Sequence, residues 1–132
     1  MIVDSNVWAD FFNGEPGPHV ARLERALREE EDLGILPIIL TEVLQGFRTD
    51  TGFQRALRLL LPLPAIEPNV ETHVSAARLF RALRRRGVTV RGAVDCVIAQ
   101  TCIDTDSELI SPDADFARIA RVVPLRLWRP EV

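Results

Sequence analysis

The chain has 132 residues, of which 47% are hydrophobic and 27% charged, and its formal net charge is −3. This size and balance predict one globular domain covering residues 1–132. No apolar run approaches the roughly 20 residues that a membrane-spanning helix needs, and the segment Met1-Ile-Val-Asp4 lacks the basic start of a signal peptide. We therefore expect a cytoplasmic protein that does not enter a membrane.

The composition also excludes some chemistry. All 16 basic residues are arginine, which excludes mechanisms that need a lysine ammonium, such as phosphate binding by a P-loop. Cys96 and Cys102 lie in one predicted helix, too far apart for a disulfide, and match no zinc-binding spacing. Both are predicted to be buried, reduced thiols.

Short apolar segments alternate with amphipathic ones along the chain. Ile2 and Val3 form a predicted buried strand, and Ser5 or Asn6 is the predicted cap of a helix that begins near Val7. The other predicted helices cover residues 18–32, 37–48, 51–61, 69–86, 92–104 and 113–121, and the other predicted strands 33–36, 62–66, 108–110 and 124–128. This alternation predicts a three-layer α/β/α fold in which helices flank a short parallel β-sheet.

Acidic residues recur where a short apolar segment gives way to a helix. Asp4 follows the first strand, and Glu42 lies in the helix after the second. Asp95 lies in the first turn of its helix, while Asp113 and Asp115 follow a later strand. Buried carboxylates are costly unless they are paired or bind a cation, and ligands of parallel α/β folds bind at the carboxyl ends of the strands. The pattern predicts one pocket for a hard divalent metal ion.

Each acid also has a structural alternative when it is taken singly. Asp4 and Asp113 can serve as helix caps, and Asp95 can complement a helix dipole. Ser5 and Ser111 are as consistent with capping hydroxyls as with site residues. Both interpretations stay open on the residues alone.

Four stretches of the sequence together resemble the PIN-domain ribonucleases, and among them the single-domain toxins of bacterial toxin–antitoxin pairs, the VapC type. The stretches are Met1-Ile-Val-Asp-Ser-Asn-Val-Trp8, Thr41-Glu-Val-Leu-Gln-Gly46, Val90-Arg-Gly-Ala-Val-Asp-Cys-Val-Ile-Ala99 and Ser111-Pro-Asp-Ala-Asp-Phe116. They occur in family order with family-like spacing and span nearly the whole chain. One departure is the Gly92-Ala-Val-Asp95 segment, where many relatives carry a proline.

The resemblance implies a PIN-like fold and a set of catalytic acids. These acids are a quartet and a frequent fifth member: Asp4, Glu42, Asp95, Asp113 and Asp115. The small polar residues that it implies beside them are Ser5, Asn6 and Ser111.

The implied activity is that of a metal-dependent endoribonuclease that uses Mg²⁺, with Mn²⁺ as a substitute. Both are hard ions that prefer oxygen ligands, and one or two of them can activate water and neutralise a phosphate. We assign Asp4, Asp95 and Asp113 as metal ligands. Glu42 and Asp115 are expected to position or deprotonate the attacking water.

Arginines near the third acid are candidate RNA contacts. Arg78, Arg81 and Arg85 recur opposite the apolar stripe of the predicted helix 69–86, and Arg91 precedes Asp95. Arginines neutralise phosphates in nucleic-acid complexes. A solvated helix face with arginine stems lying along it fits the same pattern.

Two other functions use similar residues. A metal-dependent DNA nuclease with a flap-like preference has comparable acids, and nothing in the sequence separates DNA from RNA. A non-catalytic PIN-like RNA-binding module is the second alternative. Such modules commonly lack one or more of the acids that this chain retains.

The resemblance further implies an RNA substrate, a small VapB-like antitoxin partner and a homodimer. The surface expected to receive the antitoxin lies between the predicted helix 18–32 and the region 47–61. Its apolar candidates are Trp8, Phe11, Phe12 and Phe53. For Trp8 and Phe12 a place in the core is the stronger interpretation.

Overall fold

A computed structural model describes residues 1–131 of the chain. These residues divide into two units by their contacts. The N-terminal unit comprises Met1–Glu67 with Pro130 and Glu131, and the C-terminal unit comprises Pro68–Arg129.

The N-terminal unit contains one short strand and four helices. The elements are β1 (Ile2–Val3), α1 (Ser5–Asn13), α2 (Pro18–Arg28), α3 (Pro37–Leu44) and α4 (Asp50–Leu60). Helices α2 and α3 each begin at a proline, which has no N–H to leave unsatisfied in the first turn.

The predicted second and third strands reduce to isolated parallel bridges. Ile2 pairs with Gly34, and Ile35 pairs with Ala65. A proline limits the pairing in each segment. Pro37 ends the first segment because α3 begins there, and Pro64 in the second segment has no N–H to donate to a ladder. The predictions of full strands at 33–36 and 62–66 were therefore wrong in length. The backbone at Gly34 lies close to the Ile66 side chain, and a Cβ at this position would collide with it.

Helix α1 begins earlier than predicted and has a different cap. Its N-cap is Asp4, whose carboxylate accepts a hydrogen bond from the Ser5 N–H at 2.8 Å. The prediction of Ser5 or Asn6 as cap was wrong, because the side chain directly after β1 already satisfies a free N–H of the first turn.

Helices α2 and α3 end four residues before their predicted ends, at Arg28 and Leu44. After α2, Glu30 has a left-handed backbone with φ 53°. Glu31 then folds back, because the Arg22 guanidinium donates to both of its carboxylate oxygens at 2.7 and 2.8 Å. This ion pair fixes the turn that follows α2.

The core of the N-terminal unit includes one candidate antitoxin contact. Trp8 is fully buried and stacks on Phe12, with ring centroids 6.1 Å apart. Phe12 in turn meets Phe47 edge-on at 5.5 Å. The core interpretation of Trp8 is confirmed, whereas Phe11, Phe12 and Phe53 stay partly accessible.

The C-terminal unit contains three helices and a short strand. They are α5 (Val70–Arg85), α6 (Ala93–Asp104), β2 (Leu109–Ile110) and α7 (Ala114–Ala120). Residue Leu109 of β2 pairs in parallel with Leu127, and the Trp128 N–H donates to the Leu109 carbonyl at 2.8 Å. The predicted strand 124–128 is therefore present as a single bridge.

Helix α5 matches its prediction to within one residue at each end. Asn69 caps it by accepting the Thr72 N–H at 2.8 Å. Just after the Arg86 cap, Gly87 has φ 72°, a conformation that favours glycine. Gly87 therefore follows the end of the helix in a conformation that an α-helix cannot continue through.

Helices α5 and α6 pack against each other in this unit. Ala76, Leu79 and Leu83 are buried on α5, and Cys96 and Cys102 are buried on α6 as reduced cysteines. The prediction of buried, reduced cysteines is confirmed. Among residues 1–131, no helix combines the length and apolar character needed to cross a membrane.

Candidate metal centre

In the N-terminal unit, the acids Asp4 and Glu42 influence each other. Asp4 stands directly after β1 and is 7% exposed, and Glu42 lies half-buried on α3. Burial, followed by the negative charge of Asp4, raises the pKa of Glu42, while a hydrogen bond with the Ser5 side chain opposes that rise. This group brings two of the predicted acids and one predicted polar helper together.

In the C-terminal unit, the structure gathers Asp95, Asp113 and Asp115. Each offers a carboxylate oxygen, and these oxygens all lie within 4.8 Å of one another. We call these three residues the acidic cluster. Asp95 is in the first turn of α6, Asp113 is the N-cap of α7, and Asp115 follows in the first turn of α7.

The turn between β2 and α7 fixes two members of the acidic cluster. The buried Ser111 accepts a hydrogen bond from the Asp113 N–H on its hydroxyl oxygen at 3.2 Å. The Asp113 carboxylate accepts the Asp115 N–H at 2.9 Å. The cap role of Asp113 and the supporting role of Ser111 are therefore both present, and a capping carboxylate also has a second oxygen for another partner.

Two arginines surround Asp115. Arg91 donates its backbone N–H and its Nε to Asp115 Oδ2 at 3.0 and 3.3 Å, and its Nη2 donates to Asp113. Arg118, one helical turn after Asp115, donates to Asp115 Oδ1 at 2.6 Å. Both oxygens of this buried carboxylate are thus bound by guanidinium groups.

These contacts set the charge state of the acidic cluster. Burial is the largest single influence on Asp115 and favours its neutral form, but the hydrogen bonds from Arg91 and Arg118 together outweigh it and lower its pKa. The hydrogen bond that the Arg91 side chain donates to Asp115, followed by the charge of Asp113, raises the pKa of Arg91. The two arginines therefore favour the ionised form of Asp115.

The donor set of the acidic cluster fits a hard divalent ion. All three side chains offer carboxylate oxygens, the ligands that Mg²⁺ and Mn²⁺ prefer. Arg91 binds one carboxylate oxygen of Asp113 and one of Asp115. An ion and the Arg91 guanidinium therefore compete for the same negative charge.

The other predicted site residues lie on exposed surfaces. Asn6 is exposed on α1, and Arg78, Arg81 and Arg85 are exposed along α5. Arg118 was not predicted from the sequence as a partner of Asp115. The available signal was their spacing of three residues on a predicted helix, which places the two side chains on one face.

Comparison with known proteins identifies the family. The PIN-domain family model matches residues 1–122. VapC ribonuclease Mb1587 of Mycobacterium bovis and ribonuclease VapC11 of Mycobacterium tuberculosis are each 32% identical to this chain over 130 residues. Each match covers 96% of this chain and 96% of the relative.

Solved structures share the fold. VapBC2 from Rickettsia felis, solved with a DNA fragment from its promoter, matches with a TM-score of 0.76 at 21% identity over 98% of each chain. The sarcin-ricin loop cleaving toxin VapC20 of Mycobacterium tuberculosis matches with a TM-score of 0.65 at 17% identity, over 95% of this chain and 98% of that one. At these identities the likeness establishes the fold. The predicted fold class and ribonuclease resemblance are confirmed, and the chain belongs to the PIN-domain family, with VapC ribonucleases among its relatives.

Proposed function

We propose that the protein is a divalent-metal-dependent endoribonuclease that acts as the toxin of a toxin–antitoxin pair in the cytoplasm. The observation that carries the proposal is the acidic cluster, whose three carboxylates approach within 4.8 Å in a chain of the PIN-domain family. Relatives with 32% identity are named VapC ribonucleases, which supports RNA as the substrate class.

Five acids share the work in this proposal. Asp4, Asp95 and Asp113 would hold Mg²⁺, or Mn²⁺ in its place, and Asp115 would help Glu42 to position the attacking water. An ion held by these residues would supply positive charge that activates water and neutralises the scissile phosphate. Glu42 orients and deprotonates the attacking water, and the Ser5 side chain holds Glu42 through a hydrogen bond.

Arg91 has two successive partners in this proposal. Before substrate binds, its guanidinium neutralises Asp113 and Asp115. Its side chain is 75% exposed and can leave the carboxylates without disturbing the core. Once released, a guanidinium at this position can bind a phosphate of the RNA strand. Arg78, Arg81 and Arg85 are proposed as further phosphate contacts along α5.

An antitoxin is the proposed partner. Solved structures with the same fold include VapBC2 from Rickettsia felis and FitAB bound to a DNA fragment. We propose that a VapB-like protein covers the partly accessible aromatic residues Phe11, Phe12 and Phe53, and that the complex contains a homodimer of this chain.

RNA cleavage by the purified protein tests the enzymatic proposal. Mg²⁺ should support cleavage and EDTA should abolish it. The products should carry 5′-phosphate and 3′-hydroxyl ends, because in the proposed mechanism water attacks the phosphorus and the ribose 3′-oxygen leaves. Asp95→Asn keeps the size of the side chain and removes its charge, so it should abolish cleavage while the protein stays folded. Retained activity of Asp95→Asn, or 2′,3′-cyclic phosphate ends, would refute the metal mechanism.

The DNA-nuclease alternative is tested in the same assay. Single-stranded and flap-structured DNA of matched sequence should be cleaved far more slowly than RNA. Faster cleavage of the flap DNA than of RNA would support the DNA-nuclease alternative and refute the ribonuclease proposal.

Growth assays test the toxin role. Expression of the chain alone should arrest growth, and co-expression with the adjacent small gene should restore it. Asp95→Asn expressed at the same level is the matched control and should be harmless. Normal growth with confirmed expression of active nuclease would argue against the toxin role.

A further inference from the structure

A pocket of about 470 Å³ opens in the C-terminal unit beside the acidic cluster. Its lining contains three arginines and three valines: Arg91, Arg118, Arg121, Val88, Val90 and Val122. Asp115 also lines it, so the pocket shares Asp115 and Arg91 with the contacts of the acidic cluster.

The charge of the lining favours an anion. Three arginines and one aspartate line the pocket; Arg91 and Arg118 already donate hydrogen bonds to that aspartate, and Arg91 also donates to Asp113. Arg118 uses Nη2 for this contact, which leaves other N–H donors of the same group for a ligand. The Arg121 side chain is exposed, and within residues 1–131 it makes no hydrogen bond or ion pair. Arg121 is thus a free donor at the rim.

The volume of the pocket and its apolar wall indicate a ligand larger than a simple anion. A volume of about 470 Å³ lies within the range of small-molecule sites, roughly 300–1,000 Å³, and far exceeds one phosphate. Val90 is buried, and Val88 and Val122 are half-buried, so they present apolar surface to the pocket. A ligand that has both a phosphate and a flat, weakly polar ring complements arginines and valines together.

We propose that this pocket binds one nucleotide of the substrate strand, next to the phosphodiester that the acidic cluster receives. The nucleotide phosphate binds Arg118 and Arg121, and its base lies against Val88 and Val122. This inference rests on the proposed function for the identity of the strand. It makes Arg121 a positioning residue, since it holds a neighbouring nucleotide and does not touch the reacting phosphate.

Nucleotide binding is measured without catalysis. NMR titrations of the full-length protein in EDTA compare 5′-AMP, adenosine and inorganic phosphate. We expect 5′-AMP to bind more tightly than either fragment, with shifts at Val88, Arg121 and Val122. Arg121→Ala should raise the dissociation constant for 5′-AMP at least about fivefold, because it removes charge-assisted hydrogen bonds.

Two further variants keep the test falsifiable. Val122→Glu places a negative charge in the half-buried wall and should weaken 5′-AMP at least as much as Arg121→Ala. Arg58→Ala removes an exposed arginine of α4, outside the pocket, and should leave binding unchanged. Equal affinity for 5′-AMP in the wild type and Arg121→Ala would overturn the inference. Equal affinity for phosphate and 5′-AMP would overturn the nucleotide assignment in favour of a simple anion site.

Cleavage assays separate this inference from the proposed function. In Mg²⁺, Arg121→Ala should raise KM for RNA with little change in kcat, and should alter which positions of a mixed RNA are cut. If the wild type cleaves RNA and Arg121→Ala leaves KM and the cut positions unchanged, the pocket inference fails alone. If 5′-AMP binding depends on Arg121 but the wild type cleaves no RNA, the nucleotide pocket stands and the proposed function fails. Arg121-dependent binding of a glutamate-rich peptide without binding of 5′-AMP would overturn the inference in favour of a protein ligand.

Discussion

The pKa of a carboxylate is shifted in opposite directions in the two units. Glu42 in the N-terminal unit is half-buried beside Asp4, and burial and the Asp4 charge raise its pKa. Asp115 in the C-terminal unit is more deeply buried, yet its pKa is lowered because Arg91 and Arg118 donate to both of its oxygens. Burial alone therefore does not determine the protonation of these carboxylates. For Glu42 burial is the larger cause and the like charge of Asp4 adds to it, whereas for Asp115 the two guanidinium groups outweigh burial.

The largest expected contrast is in stability. Asp115→Asn removes a buried charge that accepts three hydrogen bonds. Arg91 donates two of them, from its backbone N–H and its Nε, and Arg118 donates the third. It should lower the free energy of unfolding by about 2 kcal/mol in EDTA. Glu42→Gln removes a repelled, half-buried charge and should leave stability unchanged or raise it slightly. Urea denaturation measures both, with the exposed Glu71→Gln as a control. A greater loss for Glu42→Gln than for Asp115→Asn would refute the contrast.

A second contrast is in metal affinity. Arg91→Ala removes the cation that competes for Asp113 and Asp115, so it should tighten Mn²⁺ binding by about three- to tenfold at low salt. Arg81→Ala, an exposed arginine on α5, is the matched control and should have little effect. Isothermal titration calorimetry measures the affinity. Weaker Mn²⁺ binding by Arg91→Ala would show that Arg91 organises the acidic cluster and does not compete with the ion.

The pH dependence of stability should differ in sign between the two acids. Asp115 contributes stability that is present above the ordinary aspartate pKa, about 3.9, and is lost as the pH falls through its lower folded-state pKa. Glu42 contributes stability that is present below the ordinary glutamate pKa, about 4.3, and is lost as the pH rises through its higher folded-state pKa.

Melting temperatures recorded in EDTA between about pH 2.5 and 7 measure this difference. Relative to the wild type, Asp115→Asn should lose less stability on acidification. Glu42→Gln should lose less on the alkaline side of about pH 4.3. Parallel profiles for the wild type and both variants would contradict the opposite shifts.

The last prediction concerns the thiols of α6. Burial, followed by the charge of Asp95, raises the pKa of Cys96 to about 11, so on the order of one molecule in a thousand carries the thiolate at pH 8. Cys102 is 1% exposed. Both thiols should react with a disulfide reagent many times more slowly in the native protein than in guanidinium. Complete reaction of the native protein within the mixing time would contradict their burial.

The sequence by itself determined the family, the alternation of elements and the positions of the acids. Local signals were sufficient for these features. Helix α5 follows from an asparagine cap, an apolar stripe and Gly87, and all of them act within a few residues. Asp113 and Asp115 were predicted together because the turn after β2 and the first turn of α7 lie within one short motif.

The tertiary structure decided how those acids are partnered. Arg91 and Asp115 are 24 positions apart, and no local pattern predicts that the backbone N–H and Nε of one reach the same oxygen of the other. The segments predicted as strands at 33–36 and 62–66 shortened to bridges, because strand length depends on the neighbouring backbone as well as on apolar sequence. The arginine and valine pocket also depends on tertiary structure. Its residues come from the segment after α5 and from α7 with the turn after it, and only packing of the folded chain brings those two segments together.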